Sequence, residues 1–421
     1  MITARIPQIS VHGRAAVTEG DWMISKKMEG LVKGSSVIRA MFEDGKLLAQ
    51  KYGAENVFDF SLGNPNVPAP KEVNDAIIDV VSNTDSVKLH GYMSNAGHDE
   101  VRDIIAQSLN GKYGTAYDRS NIVMTVGAAG GMNVALKSII NPGDEVIVFA
   151  PYFGEYDNYV ANYDGKVVAI TPDIDTFQPN LSEFEDKITN KTACVIINSP
   201  NNPTGVIYSE ETLKGLSAAL EKKQRELGRT IYLISDEPYR ELVYDGAYVP
   251  WVPDYYRNTI VGYSYSKSLS LPGERIGYLV IPSDADDHED LASAASVATR
   301  ILGFVNAPSV MQLVVGKCID ASTDISYYER NRNTLYEGLT KLGFECRKPE
   351  GAFYLFMKTP IEDDNEFAGM ARKHNILLVP GSAFMCRGFV RIAYCVSYET
   401  VKGSLPKFQE LAAALGLRGV S

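Results

Sequence analysis

Apolar residues along this chain gather into short unbroken runs, separated by longer amphipathic stretches. The runs "NIVMTVG" (121–127), "EVIVFAP" (145–151), "KVVAI" (166–170), "ACVIINSP" (193–200), "IYLISDEPY" (231–239), "TIVGYSYS" (259–266) and "RIGYLVI" (275–281) predict strands. Helical patterns lie between them, among them "GMNVALKSII" and "SEETLKGLSAALEKKQREL" (209–227), where Ser209 is the expected N-cap and acids fill the first turn. Strands without polar alternation, spaced by helices, predict an α/β fold with a mostly parallel sheet buried on both faces. The pattern changes at both ends. Residues 20–55 carry apolar positions at helical spacing, and "VFDFSLGNPNVPAP" (57–70) predicts a short strand running into a Gly/Pro-rich loop. After residue 325 a charged helix, "SYYERNRNTLYEGLTKLG", leads to "GAFYLFMKT", a further helix, "ILLVPGSAF" and "FVRIAYC". That order predicts a smaller α+β unit, and the N-terminal helix is expected to pack with it. The expected division is a large domain over 62–325 and a small one built from 1–61 and 326–421.

The length, 421 residues, suits two cores better than one. A net charge of -11 argues against a nucleic-acid or anionic-membrane partner, which would need a basic face. The longest apolar stretch, "LASAASVATRILGFVNAPSVMQLVVG", is interrupted by Arg300 and Pro308 and reads as buried helix rather than a membrane span. No apolar run follows the early charges, so no signal peptide is expected. The five cysteines form no CxxC pair, which points to a reduced, cytoplasmic protein. His90 and His98 lack metal-site spacing, and no metal is expected.

Ligands of open α/β sheets bind beyond the carboxyl ends of the strands. The unusual residues of this chain collect there: Gly127-Ala128-Ala129, Phe153, Asn202, Asp236 with Tyr239, and Ser264, Ser266 and Lys267. Small residues between a strand and a helix start, in "TVGAAGGMNVAL", offer backbone N–H groups and a helix dipole to an anion; tight strand–helix packing is the other use of such residues. The run is neither GxGxxG nor a P-loop, which argues against a nucleotide. Hydroxyls of Ser264 and Ser266, with the Arg275 fork, would complete a phosphate cup. Lys267 sits where Arg275 and the helix-end field disfavour its proton, which suits a nucleophile that forms a Schiff base; a solvated loop lysine is the alternative. Asp236 closes an apolar run and needs a cation, such as the pyridinium nitrogen of pyridoxal phosphate, unless it is a cap or a surface acid. Phe153 offers a flat face to a ring, or simply fills core.

Four motifs in order, "NSPNNPTG", "SDEPY", "SYSKSLSLPGERIGY" and "FVRIAY", resemble the class I aminotransferases, aspartate-aminotransferase-like enzymes of the fold-type I pyridoxal-phosphate (PLP) group. The resemblance runs from about Asp21 to the C-terminus, and the opening residues have no match. It implies PLP as cofactor, with Lys267 bonded to its aldehyde and acting as base and acid. Asp236 would pair with the ring nitrogen, Asn202 and Tyr239 would bond the ring's phenolic oxygen, and Phe153 would stack on the ring. Ala128 and Ala129, through backbone N–H, would bind phosphate with Ser264, Ser266 and Arg275. The aspartate enzymes often carry Ser or Thr where this chain has those alanines. Tyr92, in "HGYMSNAG", matches a tyrosine that reaches the neighbouring subunit's phosphate, which implies a homodimer. Arg391 would grip the substrate α-carboxylate, helped by Gly63 and Asn202, and Arg300 is the candidate for a distal carboxylate. The implied reaction is ping-pong transamination, first of all between aspartate or glutamate and 2-oxoglutarate. A C–S lyase or other β/γ-elimination enzyme uses the same scaffold. A ligand sensor on this fold is the non-enzymatic alternative, though no added DNA-binding module is visible.

Overall fold

The computed structural model describes residues 24–33, 45 and 47–419. The opening residues therefore lie outside the described part. Twelve strands are described: β1 (Phe58–Asp59), β2 (Ile122–Thr125), β3 (Glu145–Phe149), β4 (Lys166–Ile170), β5 (Thr192–Asn198), β6 (Tyr232–Asp236), β7 (Thr259–Ser264), β8 (Gly277–Val280), β9 (Tyr354–Lys358), β10 (Ile376–Leu377), β11 (Val379–Pro380) and β12 (Phe389–Ala393). Seven form one sheet in the order β2-β8-β7-β6-β5-β3-β4. Within it β8 runs antiparallel to both neighbours, and the other pairs are parallel.

The period-2 geometry of a strand explains the unbroken apolar runs. Val146, Val148, Ile196, Ile234 and Ile260 pack on one face with the helices Gly127–Ile139 and His288–Ile301. Their alternates Ile147, Phe149, Val195, Ile197 and Leu233 pack on the other, against Leu213, Leu216 and Leu220 of the helix Glu210–Leu227. Both faces are covered, so neither set can be polar. Ser209 caps that last helix, its side chain accepting from the Thr212 N–H.

Two strands are shorter than their apolar runs. The chain leaves β7 at Ser264, whose Oγ accepts from the Ser266 N–H and turns the backbone into the single helical turn Tyr265–Ser268. Lys267 therefore stands on a helical turn rather than on a strand end. Strand β8 starts only at Gly277, because Arg275 has φ 52°, a left-handed conformation that no strand accommodates.

The second body is an antiparallel sheet, β11-β12-β9, packed on the helices Ile325–Lys341, Asp364–Lys373 and Tyr398–Ala414. Phe58 and Phe60, from the N-terminal side of the chain, join its core, and β1 pairs with β10 in parallel. The helix Lys26–Lys33 also touches the large body: Lys27 Nζ reaches the Asn162 carbonyl and the Asp164 carboxylate, each at 3.0 Å. The sequence pattern did not anticipate that contact. An amphipathic period shows that a helix has an apolar face, not which body receives it. Among the described residues no helix is long and apolar enough to cross a membrane, and no cluster of three metal-ligating side chains forms.

Candidate active site

The carboxyl ends of β5, β6 and β7 open onto a cavity of about 300 Å³. Gly63, Ala128, Ala129, Phe153, Asn202, Asp236, Tyr239, Ser264, Ser266, Lys267, Arg275 and Arg391 all line it. Tyr92 and Arg300 do not. Tyr92 is 95% exposed, just past the helix Ser86–His90, and Arg300 is exposed at the last turn of the helix His288–Ile301.

Lys267 donates from Nζ to the Gly63 carbonyl at 2.9 Å and stands 5.2 Å from the centre of the Phe353 ring. Its pKa is pushed down to about 8. Burial is the main cause; Cys395 opposes the shift, and Arg275 and Arg391 add to it. The neighbouring cations foreseen from the sequence thus contribute less than the loss of water.

Asp236 ends β6. Tyr156, on the helix Glu155–Asn162, donates its hydroxyl to Oδ2 at 2.7 Å, while the buried Oδ1 has no partner. Burial raises this carboxyl to about 7; the Tyr156 hydrogen bond lowers it and Glu237 raises it. The backbone around it is tied down by Asn198, its register partner on β5. Asn198 Nδ2 donates to the Asp236 carbonyl at 2.7 Å, and its Oδ1 accepts from the Asn202 N–H at 2.7 Å.

Arg391 projects from β12 and is 2% exposed. Nη1 donates to Asn202 Oδ1 at 3.0 Å and Nη2 to the Ser61 carbonyl at 2.6 Å. Rings of Tyr354 and Phe384 flank the guanidinium at 4.6 and 4.9 Å, and Nε has no partner. Its partners are an amide oxygen and a carbonyl, so the buried charge is left for an anion from outside. The hydroxyls of Tyr239 and Tyr354 meet at 2.9 Å.

The other end of the cavity collects donors. The helix Gly127–Ile139 points its N-terminus there. Gly127 has φ 76°, and a Cβ on it would stand 2.9 Å from Arg275 Nη2, so only glycine brings the helix start this close to the guanidinium. Arg275 Nη1 is held by the Pro272 carbonyl at 2.8 Å, and Ser264 Oγ donates to Ser266 Oγ at 2.8 Å. Backbone N–H groups, two hydroxyls and a guanidinium together suit a phosphate dianion.

Several site residues escaped the sequence reading: Tyr156, Asn198 and Tyr354. Tyr156 follows Phe153 by one helical turn, which is the spacing of same-face neighbours and a usable signal. Asn198 is the last residue of β5, the position to inspect in any parallel strand. Tyr354 lies on β9 in the second body, and no local pattern ties it to the cavity.

A buried amine, a buried carboxyl with one oxygen lacking a partner, and an anion cup suit a ligand with a carbonyl, a cationic ring nitrogen and a phosphate. Pyridoxal phosphate carries all three, and on a parallel α/β sheet that combination defines fold type I of the PLP enzymes. Comparison with known proteins narrows the class. The chain belongs to the aminotransferase class I and II family, which it matches over residues 55–405. It is 31% identical over 392 residues to the aspartate aminotransferase of Thermotoga maritima, covering 92% of this chain and 99% of that one. An aminotransferase crystal structure from Eubacterium rectale is 47% identical with a TM-score of 0.92, covering 94% of this chain and 100% of the other. The Thermus thermophilus aspartate aminotransferase with maleate is 26% identical with a TM-score of 0.81, covering 92% and 99% respectively. The protein is a PLP-dependent aminotransferase, with amino acids and 2-oxo acids as its substrates.

Proposed function

We propose that this aminotransferase transfers the amino group of L-aspartate or L-glutamate to a 2-oxo acid such as 2-oxoglutarate in a ping-pong cycle, with Lys267 as its reacting amine. One observation carries the assignment of residues. A buried guanidinium without a carboxylate and a buried amine with a depressed pKa share one cavity. The donor is supported by likeness to aspartate aminotransferases, one of which was solved with maleate, a dicarboxylate.

When bound, pyridoxal phosphate supplies the aldehyde that captures the amino group and the ring that takes up the electron pair from Cα. The chain does the rest. Arg391 forks onto the α-carboxylate, oriented by Asn202 and the Ser61 carbonyl. That grip fixes which bond on Cα faces Lys267. Gly63 holds the amine through its carbonyl. Lys267, neutral in good part near pH 8, would take the Cα proton and deliver it to the carbon on the far side of the amino nitrogen. Asp236 would keep a proton on the ring nitrogen, Asn202 and Tyr239 would bond the phenolic oxygen, and Phe153 would cover one ring face. Arg275, Ser264, Ser266 and the N–H groups of Ala128 and Ala129 would hold the phosphate.

The active unit proposed is a homodimer. Tyr92, Val87 and Ile301, at 95%, 82% and 57% exposure, are large apolar side chains of the kind an interface covers. Five free cysteines fit a reducing compartment such as the cytoplasm.

The test is a single half-reaction. L-Aspartate given to the PLP-loaded enzyme without a 2-oxo acid releases one equivalent of oxaloacetate per site and stops; adding 2-oxoglutarate restarts it. Continuous release of ammonia with pyruvate from a donor that carries a β leaving group, such as L-cysteine, identifies an eliminating lyase instead. A protein that turns over no donor in a broad panel is a sensor.

Two substitutions follow. Asp236→Asn lowers kcat by about 10²-fold or more, because the charge opposite the ring nitrogen is gone. The same change raises the melting temperature of the cofactor-free protein at pH 8. A carboxyl whose pKa rises from 3.8 to about 7 on folding stabilises the fold while protonated and loses that contribution as pH climbs through about 7. The amide carries no such penalty. Arg300→Ala lowers kcat/KM about tenfold for aspartate and glutamate and leaves aromatic and alanine donors unchanged; equal loss for all donors removes Arg300 from the distal-carboxylate role.

A further inference from the structure

The helical turn Tyr265–Ser268 divides its side chains between two cavities. Ser266 and Lys267 line the one described above, and Tyr265 and Ser268 line a second, of about 200 Å³. The second is walled by Tyr263, Tyr265 and Tyr278, with Glu241 among them and Lys112 and Asp320 at its edge. Nothing in the transamination reading uses it.

Two polar groups in this wall lack partners. Glu241 Oε2 is sealed from solvent and makes no hydrogen bond, and the hydroxyl of Tyr265, a residue 4% exposed, makes none either. The hydroxyl of the nearby Tyr263 donates to Ser268 Oγ at 2.8 Å. Burial pushes the Glu241 carboxyl up, against the pull of Tyr263, Lys112 and Arg240. Asp236 shows the same signature, a buried carboxyl on a cavity wall with one oxygen unpaired.

We propose that this second cavity is a binding site for a small organic ammonium ion, held by Glu241 and the Tyr265 hydroxyl against tyrosine rings. The charge favours a cation: Glu241 and Asp320 carry two negative charges against the one positive charge of Lys112. The rings favour an organic one. Tyr263 and Tyr278 stack at 4.8 Å and Tyr265 meets Tyr263 edge-on at 5.2 Å, and aromatic walls attract ammonium groups. A divalent metal would need several oxygen ligands around it, and among the described residues no such cluster exists. Glu241 and the phenol can each accept one N–H, which a primary ammonium supplies and a quaternary one does not. The volume equals that of about seven waters in the liquid, enough for a short alkyl chain.

The test uses the full-length holoenzyme, treated with borohydride so that no cofactor aldehyde captures the amine. Propylammonium chloride is titrated in by calorimetry, with tetramethylammonium and potassium chlorides as controls. The expected result is saturable binding of one propylammonium per chain, at least about tenfold weaker for tetramethylammonium. Glu241→Gln weakens it about ten- to a hundredfold, and Tyr265→Phe several-fold. Should Glu241→Gln fold poorly, Ala321→Phe, at the cavity wall, is expected to abolish binding by filling the space. Absence of saturable binding, equal binding of tetramethylammonium, or propylammonium binding that survives both Glu241→Gln and Ala321→Phe overturns the proposal and leaves a water-filled cavity. Since the borohydride-treated enzyme is inactive, the result is independent of which amino acid is the substrate.

Discussion

Replacing Lys267 by alanine is expected to lower kcat by about 10⁴-fold or more for every donor. The side chain has two roles that nothing else in the cavity can take over. It is the one lysine among the described residues lining the cavity, and at a pKa of about 8 it offers an uncharged lone pair at physiological pH. The other cations lining the site, Arg275 and Arg391, are guanidinium groups and stay protonated. Lys267→Arg should therefore fail almost as badly as Lys267→Ala, although it keeps the charge and most of the length. Single-turnover kinetics with 2-deuterated aspartate separate the causes. If proton transfer is the lost step, the isotope effect on the residual rate is large. A variant that retains kcat within tenfold of the parent removes Lys267 from the mechanism. The pH profile supplies a second check. Reaction of the cofactor-free enzyme with pyridoxal phosphate, trapped by borohydride and mapped by peptide mass, should rise through about pH 8 at Lys267 and label exposed lysines far less.

Arg391→Ala has the next largest expected effect, a fall in kcat/KM of about 10²–10³-fold that is shared by all amino-acid donors. Removing one partner of a buried charge pair costs about 2–5 kcal/mol, or about 30- to 4,000-fold, and the expected fall lies in the middle of that span. Part of the cost arises from groups left behind. Asn202 Oδ1 and the Ser61 carbonyl, both on buried residues, each lose a charged donor. Arg391→Lys is expected to recover only part of the activity, because a point charge cannot span two carboxylate oxygens. Steady-state kinetics on aspartate, glutamate and an aromatic donor decide the matter: a loss confined to dicarboxylates contradicts the α-carboxylate assignment.

Much of the site could be read from the sequence because parallel sheets concentrate chemistry at one edge. Asp236 and Lys267 each follow an unbroken apolar run, and the structure brings both into one cavity. The parts that could not be read depend on packing between distant segments. Tyr354 reaches the site only because β9 lies beside Arg391 on β12. The depressed pKa of Lys267 comes mainly from burial, which no local pattern reports. The apolar run at 259–266 promised a longer strand, but a serine at its end captured a backbone N–H and started a helical turn. Tyr156 was the legible omission, one turn beyond Phe153 and bonded to Asp236.

The contact between Arg391 and the Ser61 carbonyl joins residues 330 positions apart. On a ribosome the segment carrying Ser61 and Gly63 emerges early, yet its partners β10 and β12 come almost last. Residues 122–280, which hold the whole seven-stranded sheet and Lys267, can associate before then. A nascent chain at that stage has the Lys267 side chain and the anion cup but not Arg391, the guanidinium proposed to select a carboxylate. Substrate recognition is thus the final property this polypeptide acquires, and loss of a short C-terminal piece beginning before β12 would abolish it while leaving the large sheet intact.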